Sequence, residues 1–324
     1  MKIITSKDIK ENISLSCLID EMAKAFILLE GNKSYMPLRT ITDMGKDNPI
    51  LFFKPAIDNT NGYITIKLLN QLKGSSPFGY PTIQGMVILL DGLKNRILSI
   101  MDGSIITTYR TGATSGLATK LLSKEDSSVL AIFGAGAQAY TQIEAVMAVR
   151  NIKKVIVFDI NKNSALKLIE YFKTRKDAEF IEGTDRKTLS EADIICTVTN
   201  STKALFQTNE LKEGVHINAI GSFAESMREL PDDVFNGSAL YVDHKDSCFK
   251  ESGDIIVPLK NNRIDNSNFR GEMKDLIKGC IPGRKDEKER TIFKSVGIAN
   301  QDLVAAEYIY NMSLDKGFGT DIDF

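Results

Sequence analysis

The run "VLAIFGAGAQAY" at 129–140 places five apolar residues ahead of two glycines and then resumes with helical spacing. G-x-G-x-x-A at a strand end suits a phosphate cradle. Gly134 allows a tight turn, and Gly136 removes the side chain that would hold a pyrophosphate off the backbone. Ala139 lets the helix close on the strand, while Ala137 and Gln138 open that helix, whose N–H groups and positive dipole end face the anion. A second apolar run, "KVIVFD", ends in Asp159, 23 residues after Gly136. A carboxylate there accepts ribose hydroxyls and repels a 2′-phosphate, which favours NAD. Lys162 nearby weakens that preference, so NADP stays possible. The competing reading is a sheet of the same type with an empty loop. Polar residues at later strand ends would complete a dinucleotide site: Thr197, Thr199 and Asn200 after one strand, then Ile220, Gly221 and Ser222 after the next. Taken singly, each is equally an ordinary loop residue.

Nicotinamide chemistry also requires groups that hold an acceptor and manage a proton. Three cations stand out: Arg39 in "MPLRT", Lys67 in "ITIKLL" and Arg110 in "TTYRTGATSG". Strand alternation puts Lys67 on the face opposite Ile64, Ile66 and Leu68, together with Thr65 and Leu69. That face is either solvent-exposed or part of a site. Gly112, Ala113, Ser115 and Gly116 after Arg110 permit close approach of a ligand or of another helix. A metal centre or a Ser-His-Asp triad is not expected. His216 and His244 share no ligand spacing, and the four cysteines form no C-x-x-C pair and read as reduced packing thiols. His216, inside "VHINAI", reads as a core or edge residue and His244 as a loop residue.

The elements that must position these groups fall into two kinds. A chain of 324 residues with 43% apolar content suits two domains. A helix is expected over 15–30, strands over 35–41, 50–56 and 63–69, and a hairpin about "DGLKN", which makes an antiparallel front section with few helices. From about residue 105 a small-residue helix leads into alternation. Strands are expected at 128–133, 154–159, 193–199, 215–220 and 239–243, with helices at 137–149 and 164–173. The expected fold class is therefore α/β, a Rossmann-type doubly wound parallel sheet plus an α+β front domain. The amphipathic helix after 295 is given to the front domain because the parallel sheet already has its strands. The domains are then 1–112 with 302–324, and 113–301. The net charge of −1 argues against a nucleic-acid partner or a polybasic membrane surface. No run reaches the ~18 apolar residues of a membrane span, and the N-terminus has no apolar signal core, so a cytoplasmic location is expected.

Over essentially its full length the chain resembles the ornithine cyclodeaminase/mu-crystallin family. The resemblance is carried by "MPLRT", "ITIKLLN", "PTIQGMVILLD", "MDGSIITTYRTGATSGLATKLL", "AIFGAGAQA", "HINAIGSF", "MRELPDD", "ESGDIIVPL" and "FKSVGIANQDLVAAE". It implies a homodimer whose front domain binds substrate and pairs across subunits. It further implies that Arg39 and Arg110 hold a substrate carboxylate and that Lys67 is the active-site lysine. Thr82 and Ser295 match positions near the nicotinamide. A guanidinium fork suits a planar carboxylate, and a lysine beside two such cations should have a depressed pKa. One departure separates the chain from the cyclodeaminases: "IGSFAESMREL" carries Phe223 where they carry an aspartate, with Glu225 two residues on. An aromatic ring neither binds an ornithine ammonium as a carboxylate does nor acts as a base. The expected activity is hydride transfer at the α-carbon of a small imino or amino acid, of cyclic ketimine or alanine type. The alternatives are cyclisation of ornithine with catalytic NAD and a non-catalytic binder of dinucleotide and a small acid. In "ESGDI", Glu251 or Asp254 either caps a loop over the cofactor or takes part directly.

Overall fold

The computed structural model describes residues 1–43, 45, 49–72 and 78–323. Two compact units emerge, Met1–Arg110 with Ile298–Phe324, and Thr111–Gly297. Residues 298–301 thus fall in the front unit and residues 111–112 in the second, the reverse of the expected bounds.

The front unit opens with β1 (Lys2–Ile4), α1 (Ser6–Asn12) and α2 (Leu15–Ile27). It continues with β2 (Ser34–Tyr35), β3 (Thr40–Asp43), β4 (Ile50–Asp58), β5 (Tyr63–Gln71), β6 (Ile83–Asp91) and β7 (Arg96–Asp102). The strand expected over 35–41 is interrupted: Met36–Arg39 lie outside both β2 and β3, where Pro37 has no N–H to give a ladder. Strands β4 to β7 form an antiparallel meander. Strand β1 joins β7 in parallel, so the sheet is mixed rather than purely antiparallel. One face of the sheet buries Phe52, Lys54, Ala56 and Asp58 of β4 with Thr65 and Lys67 of β5. The other face turns outward a run of side chains in register, Phe53 beside Leu68 beside Met86 and Pro55 beside Ile66 beside Ile88. The inner face thus mixes charged groups with apolar ones, Phe52, Ala56, Val87 and Leu89, while the outer face carries apolar side chains.

Helix α3 (Gly103–Leu122) carries the chain into the second unit. There follow β8 (Val129–Phe133), α4 (Ala137–Val149), β9 (Lys154–Phe158), α5 (Lys162–Lys173), β10 (Glu179–Glu182), β11 (Ile194–Thr197) and β12 (His216–Ala219). Then come β13 (Ser238–Val242), α6 (Lys245–Glu251), α7 (Gly253–Lys260), β14 (Phe269–Glu272), α8 (Met273–Ile277) and β15 (Arg290–Lys294). The strands form one parallel sheet in the order β10-β9-β8-β11-β12-β15-β13-β14. Its first five members give the 3-2-1-4-5 order of a doubly wound sheet, with the switch point between β8 and β11. Alternate residues feed two cores: Val155 and Val157 face one, Ile156 and Phe158 the other, as expected for strands covered on both sides. The sheet is larger than expected, since β10, β14 and β15 were not anticipated. Strand β15 lies between β12 and β13. Its apolar core is two residues framed by Arg290, Thr291 and Lys294, too short to register as a buried run. Last, α9 (Ala299–Lys316) and β16 (Thr320–Asp321) return to the front unit, where α9 packs on α2 and on β4 and β5.

Candidate active site

The glycine loop sits at the switch point of the second unit. Gly134 has φ +97°, and a Cβ there would lie 2.9 Å from the Val198 carbonyl oxygen, so the turn requires glycine on both counts. Gly136 is the N-cap of α4, no side chain caps that helix, and a Cβ at Gly136 would meet nothing within 4 Å. Open space in front of unpaired helix N–H groups fits a pyrophosphate. Ala137 is exposed and Gln138 half-buried, with Gln138 Oε1 lacking a hydrogen-bond partner. Asp159 is engaged with the loop itself: Oδ2 accepts the Ala135 N–H at 2.6 Å and Oδ1 the Asn161 N–H at 2.7 Å. Each carboxylate oxygen retains a lone pair for a ribose hydroxyl. Lys162 pairs at 3.7 Å with Glu182.

At the ends of β11 and β12 the structure supplies a residue the sequence reading missed. Glu229 is fully buried and gathers Thr197, Thr199 and Gly221 about its carboxylate. The hydroxyls of Thr197 and Thr199 are thus directed at Glu229. Ile220 is 9% exposed beside them. Asp254, also fully buried, accepts the Glu229 N–H at 2.7 Å and the Leu230 N–H at 3.0 Å, with Lys294 Nζ 3.3 Å from its other oxygen. In "ESGDI", then, Asp254 braces the 229–230 backbone. Ser295 donates to Asp243 at 2.7 Å, and the same carboxylate oxygen accepts the Val296 and Gly297 N–H groups.

The front unit brings together Lys67 and Arg110 and adds two residues not singled out from sequence, Lys54 and Asp302. Strand pairing sets Lys54 directly opposite Lys67. Asp302 comes from the first turn of α9, where Asn300, Gln301 and Asp302 are buried on an otherwise apolar helix start. Lys67 Nζ lies 2.7 Å from both Asp302 oxygens, with its hydrogen bond directed at Oδ1. Arg110 Nε donates to the same oxygen at 3.0 Å, and Lys54 Nζ stands 3.8 Å from Oδ2. Arg110 Nη1 donates to Gln301 Oε1 at 2.7 Å. All four charged groups are buried. Burial drives the Lys67 ammonium well below the ordinary lysine range; Asp302 opposes this, and Lys54 and Arg110 add to it. Burial alone would raise the Asp302 carboxyl, but Lys67, Arg110 and Lys54 hold it well below the usual carboxylate range. Arg39 precedes β3, its guanidinium 5.9 Å from the centre of the Phe52 ring. Thr82 is exposed just ahead of β6, and the structure does not gather it with Lys67.

The remaining expectations sort by burial. His216 is fully buried, its ring nitrogens 2.9 Å from Thr291 Oγ1 and 3.2 Å from Asn218 Oδ1. Burial, aided by Arg284, pushes its pKa down to about 3, so the ring is a neutral core group. Cys196 and Cys248 pack inside, but Cys17 and Cys280 are exposed and do not serve as packing residues. The small-residue run after Arg110 serves helix packing: a Cβ on Gly112 would be 2.7 Å from the Thr141 backbone. Phe223 packs against the core of the second unit, and Glu225 is exposed and paired with Lys260 at 2.5 Å. No cluster able to hold a metal ion, and no helix long and apolar enough to cross a membrane, occurs among the described residues.

A family model described as ornithine cyclodeaminase/mu-crystallin family matches residues 1–317. The chain is 31% identical over 326 residues to the Delta(1)-pyrroline-2-carboxylate reductase of Bacillus cereus, covering 100% of both chains. The structure of Thermococcus litoralis Delta(1)-pyrroline-2-carboxylate reductase in complex with NADH and L-proline is 34% identical, with a TM-score of 0.94 covering 99% of this chain and 100% of that one. An archaeal alanine dehydrogenase dimer with bound NAD is 30% identical, with a TM-score of 0.91 covering 100% and 99%. Matched to residue 317 and, at full length, by relatives above 30% identity, the chain belongs to the ornithine cyclodeaminase/mu-crystallin family.

Proposed function

We propose that this chain is an NAD(P)-dependent oxidoreductase that reduces a small α-imino acid, or oxidises the matching amino acid, at the α-carbon. The observation that carries the reading is the sharing of one buried carboxylate, Asp302, by three buried cations, Lys54, Lys67 and Arg110. Buried cations gathered in this way suit a substrate carboxylate. Arg110 presents a planar fork to that carboxylate, with Arg39 as the second guanidinium. Lys67, its pKa lowered, hands a proton to the imine nitrogen or takes one from the amine. Gly134, Gly136, Ala137, Gln138 and Asp159 hold the dinucleotide, with Thr82, Ile220 and Ser295 toward its nicotinamide end. Bound reduced nicotinamide supplies the hydride. The relatives named as pyrroline-2-carboxylate reductases and alanine dehydrogenase act on substrates of this class.

The test is a panel of pyrroline-2-carboxylate, pyruvate with ammonia, and ornithine, each offered with NADH and NADPH or, for ornithine, NAD. Net NADH consumption with an imino acid is expected. Absence of consumption across the panel would overturn the reading. With Phe223 in the aspartate's place and Glu225 paired with Lys260, ammonia release from ornithine with catalytic NAD is not expected.

We further propose a homodimer formed through the outer face of the front sheet. That face aligns Phe53, Ile66, Leu68, Met86 and Ile88, with Phe53 39% and Met86 40% exposed. A second copy would cover it, as the solved alanine dehydrogenase is a dimer. Ile66→Glu should shift sedimentation toward the monomer; an unchanged dimer would place the contact elsewhere. A cytoplasmic location fits two exposed free thiols, Cys17 and Cys280, in a reducing compartment.

A further inference from the structure

Glu229 makes more of its carboxylate than a core ion pair would. Oε2 accepts Thr197 Oγ1 and the Gly221 N–H, each at 2.7 Å; Oε1 accepts the Thr199 N–H at 2.7 Å and Thr199 Oγ1 at 2.8 Å. The β11–β12 ladder ends at Thr197 opposite Ala219. Beyond it, the Glu229 carboxylate bridges the two diverging chains where ligands of a doubly wound sheet bind. The fit is close: a Cβ on Gly221 would lie 2.3 Å from Glu229 Oε1 and 2.2 Å from the Thr199 carbonyl. The glycine loop rests on the same segment, since a Cβ on Gly134 would be 2.9 Å from the Val198 carbonyl and 3.1 Å from Thr199 Cγ2.

We propose that Glu229 is a positioning residue for the dinucleotide, setting the separation of the β11 and β12 ends and, through Thr199, the seat of the Gly134 loop. The proposal rests on the dinucleotide reading above. Its chemistry follows from the donors. Four hydrogens point at two oxygens, and two come from backbone N–H groups that cannot turn round. A carboxylate satisfies all four. An amide of the same shape turns its NH2 either to the Thr199 N–H, which then has no acceptor, or to the Gly221 N–H, which keeps only the Thr197 carbonyl at 3.0 Å, so one donor loses its charged partner either way. The Glu229 backbone cannot shift to escape, because Asp254 Oδ1 holds its N–H at 2.7 Å.

NADH titration of the full chain, followed by fluorescence, tests this with Glu229→Gln, Thr197→Val and the double variant. Glu229→Gln should weaken NADH binding by roughly 10–100-fold, the loss of one charge-assisted bond. KM for the imino acid at saturating NADH should stay within about twofold, a split that general loosening of the fold would not give. Thr197→Val should weaken NADH less, and should add nothing in the Glu229→Gln background, because the buried hydroxyl acts through the carboxylate. NADH binding by Glu229→Gln equal to the parent's would overturn the proposal, as would a parallel rise in both constants. Should Glu229→Gln fail to fold, Thr197→Val alone decides, and unchanged NADH affinity overturns the proposal. A parent chain that binds no NADH would instead bring down the dinucleotide reading, and this proposal with it.

Discussion

Replacement of Lys67 separates its charge from its proton. In Lys67→Met, Asp302 loses an ammonium 2.7 Å away but keeps Arg110 Nε at 3.0 Å. The carboxylate is therefore not orphaned, and the folding cost is that of one charge-assisted bond, about 1.5–3 kcal/mol, rather than the ~3–5 kcal/mol of a broken buried pair. At ~2–4 °C per kcal/mol, the melting temperature falls by roughly 3–12 °C at most. It is a ceiling because burial already disfavours the charged lysine. Against that modest loss, turnover should drop about 10²–10⁴-fold, the usual contribution of a positioned general acid. Lys67→Arg restores a cation beside Asp302 but does not release its proton, so it should recover melting temperature and not turnover. The assay is the initial rate of NADH oxidation at saturating imino acid, run across pH. In the parent, the protonated lysine is the donor, so reduction should fade as pH rises through the lowered Lys67 pKa; Lys67→Met should lack that limb. A Lys67→Arg enzyme with the parent's turnover would refute proton transfer by this residue.

Asp302→Asn removes the group that raises the Lys67 pKa, so the alkaline loss of reductase activity should move to lower pH; a limb that stays put would detach Asp302 from Lys67. Arg110→Lys keeps the charge but loses the planar guanidinium that is to grip the substrate carboxylate and whose Nε and Nη1 are held by Asp302 and Gln301. KM for the acid should rise by about 10–100-fold, and an unchanged KM would place the substrate carboxylate elsewhere. Asp159→Ser deletes both the repulsion of a 2′-phosphate and the anchor of the Ala135 N–H. The kcat/KM ratio should shift toward NADPH while NADH KM rises; an unaltered preference would remove Asp159 from the ribose site.

Much of the second unit was legible in the sequence because glycine and strand signals are local. Helix α4 spans 137–149 as its spacing indicated, and the turn before it needs Gly134 for its φ. Strand β15 was not legible, since sheet membership is decided by neighbours far along the chain and its ends are charged. In the front unit, alternation singled out the face that bears Lys67 but did not say whether it was wet or dry. The same alternation is present at Lys54 in "ILFFKPA". Asp302 gave one signal, three polar residues in the first turn of an apolar helix, and its partners are 235 and 192 residues away. Glu229 gave none, because four hydrogen bonds from two strand ends leave no mark on the local pattern.

The return of the chain to its first unit has a consequence for synthesis. The second unit, Thr111–Gly297, is continuous and can fold as soon as it leaves the ribosome. The front unit cannot, because α9, which packs on its sheet, is translated only after the whole second unit. Until then Lys54, Lys67 and Arg110 lack Asp302, the carboxylate they share in the finished front unit. At ~5–20 residues per second the whole second unit is made while the front sheet waits. Emergence of α9, rather than of the nucleotide fold, thus sets when Asp302 first meets Lys67 and Arg110.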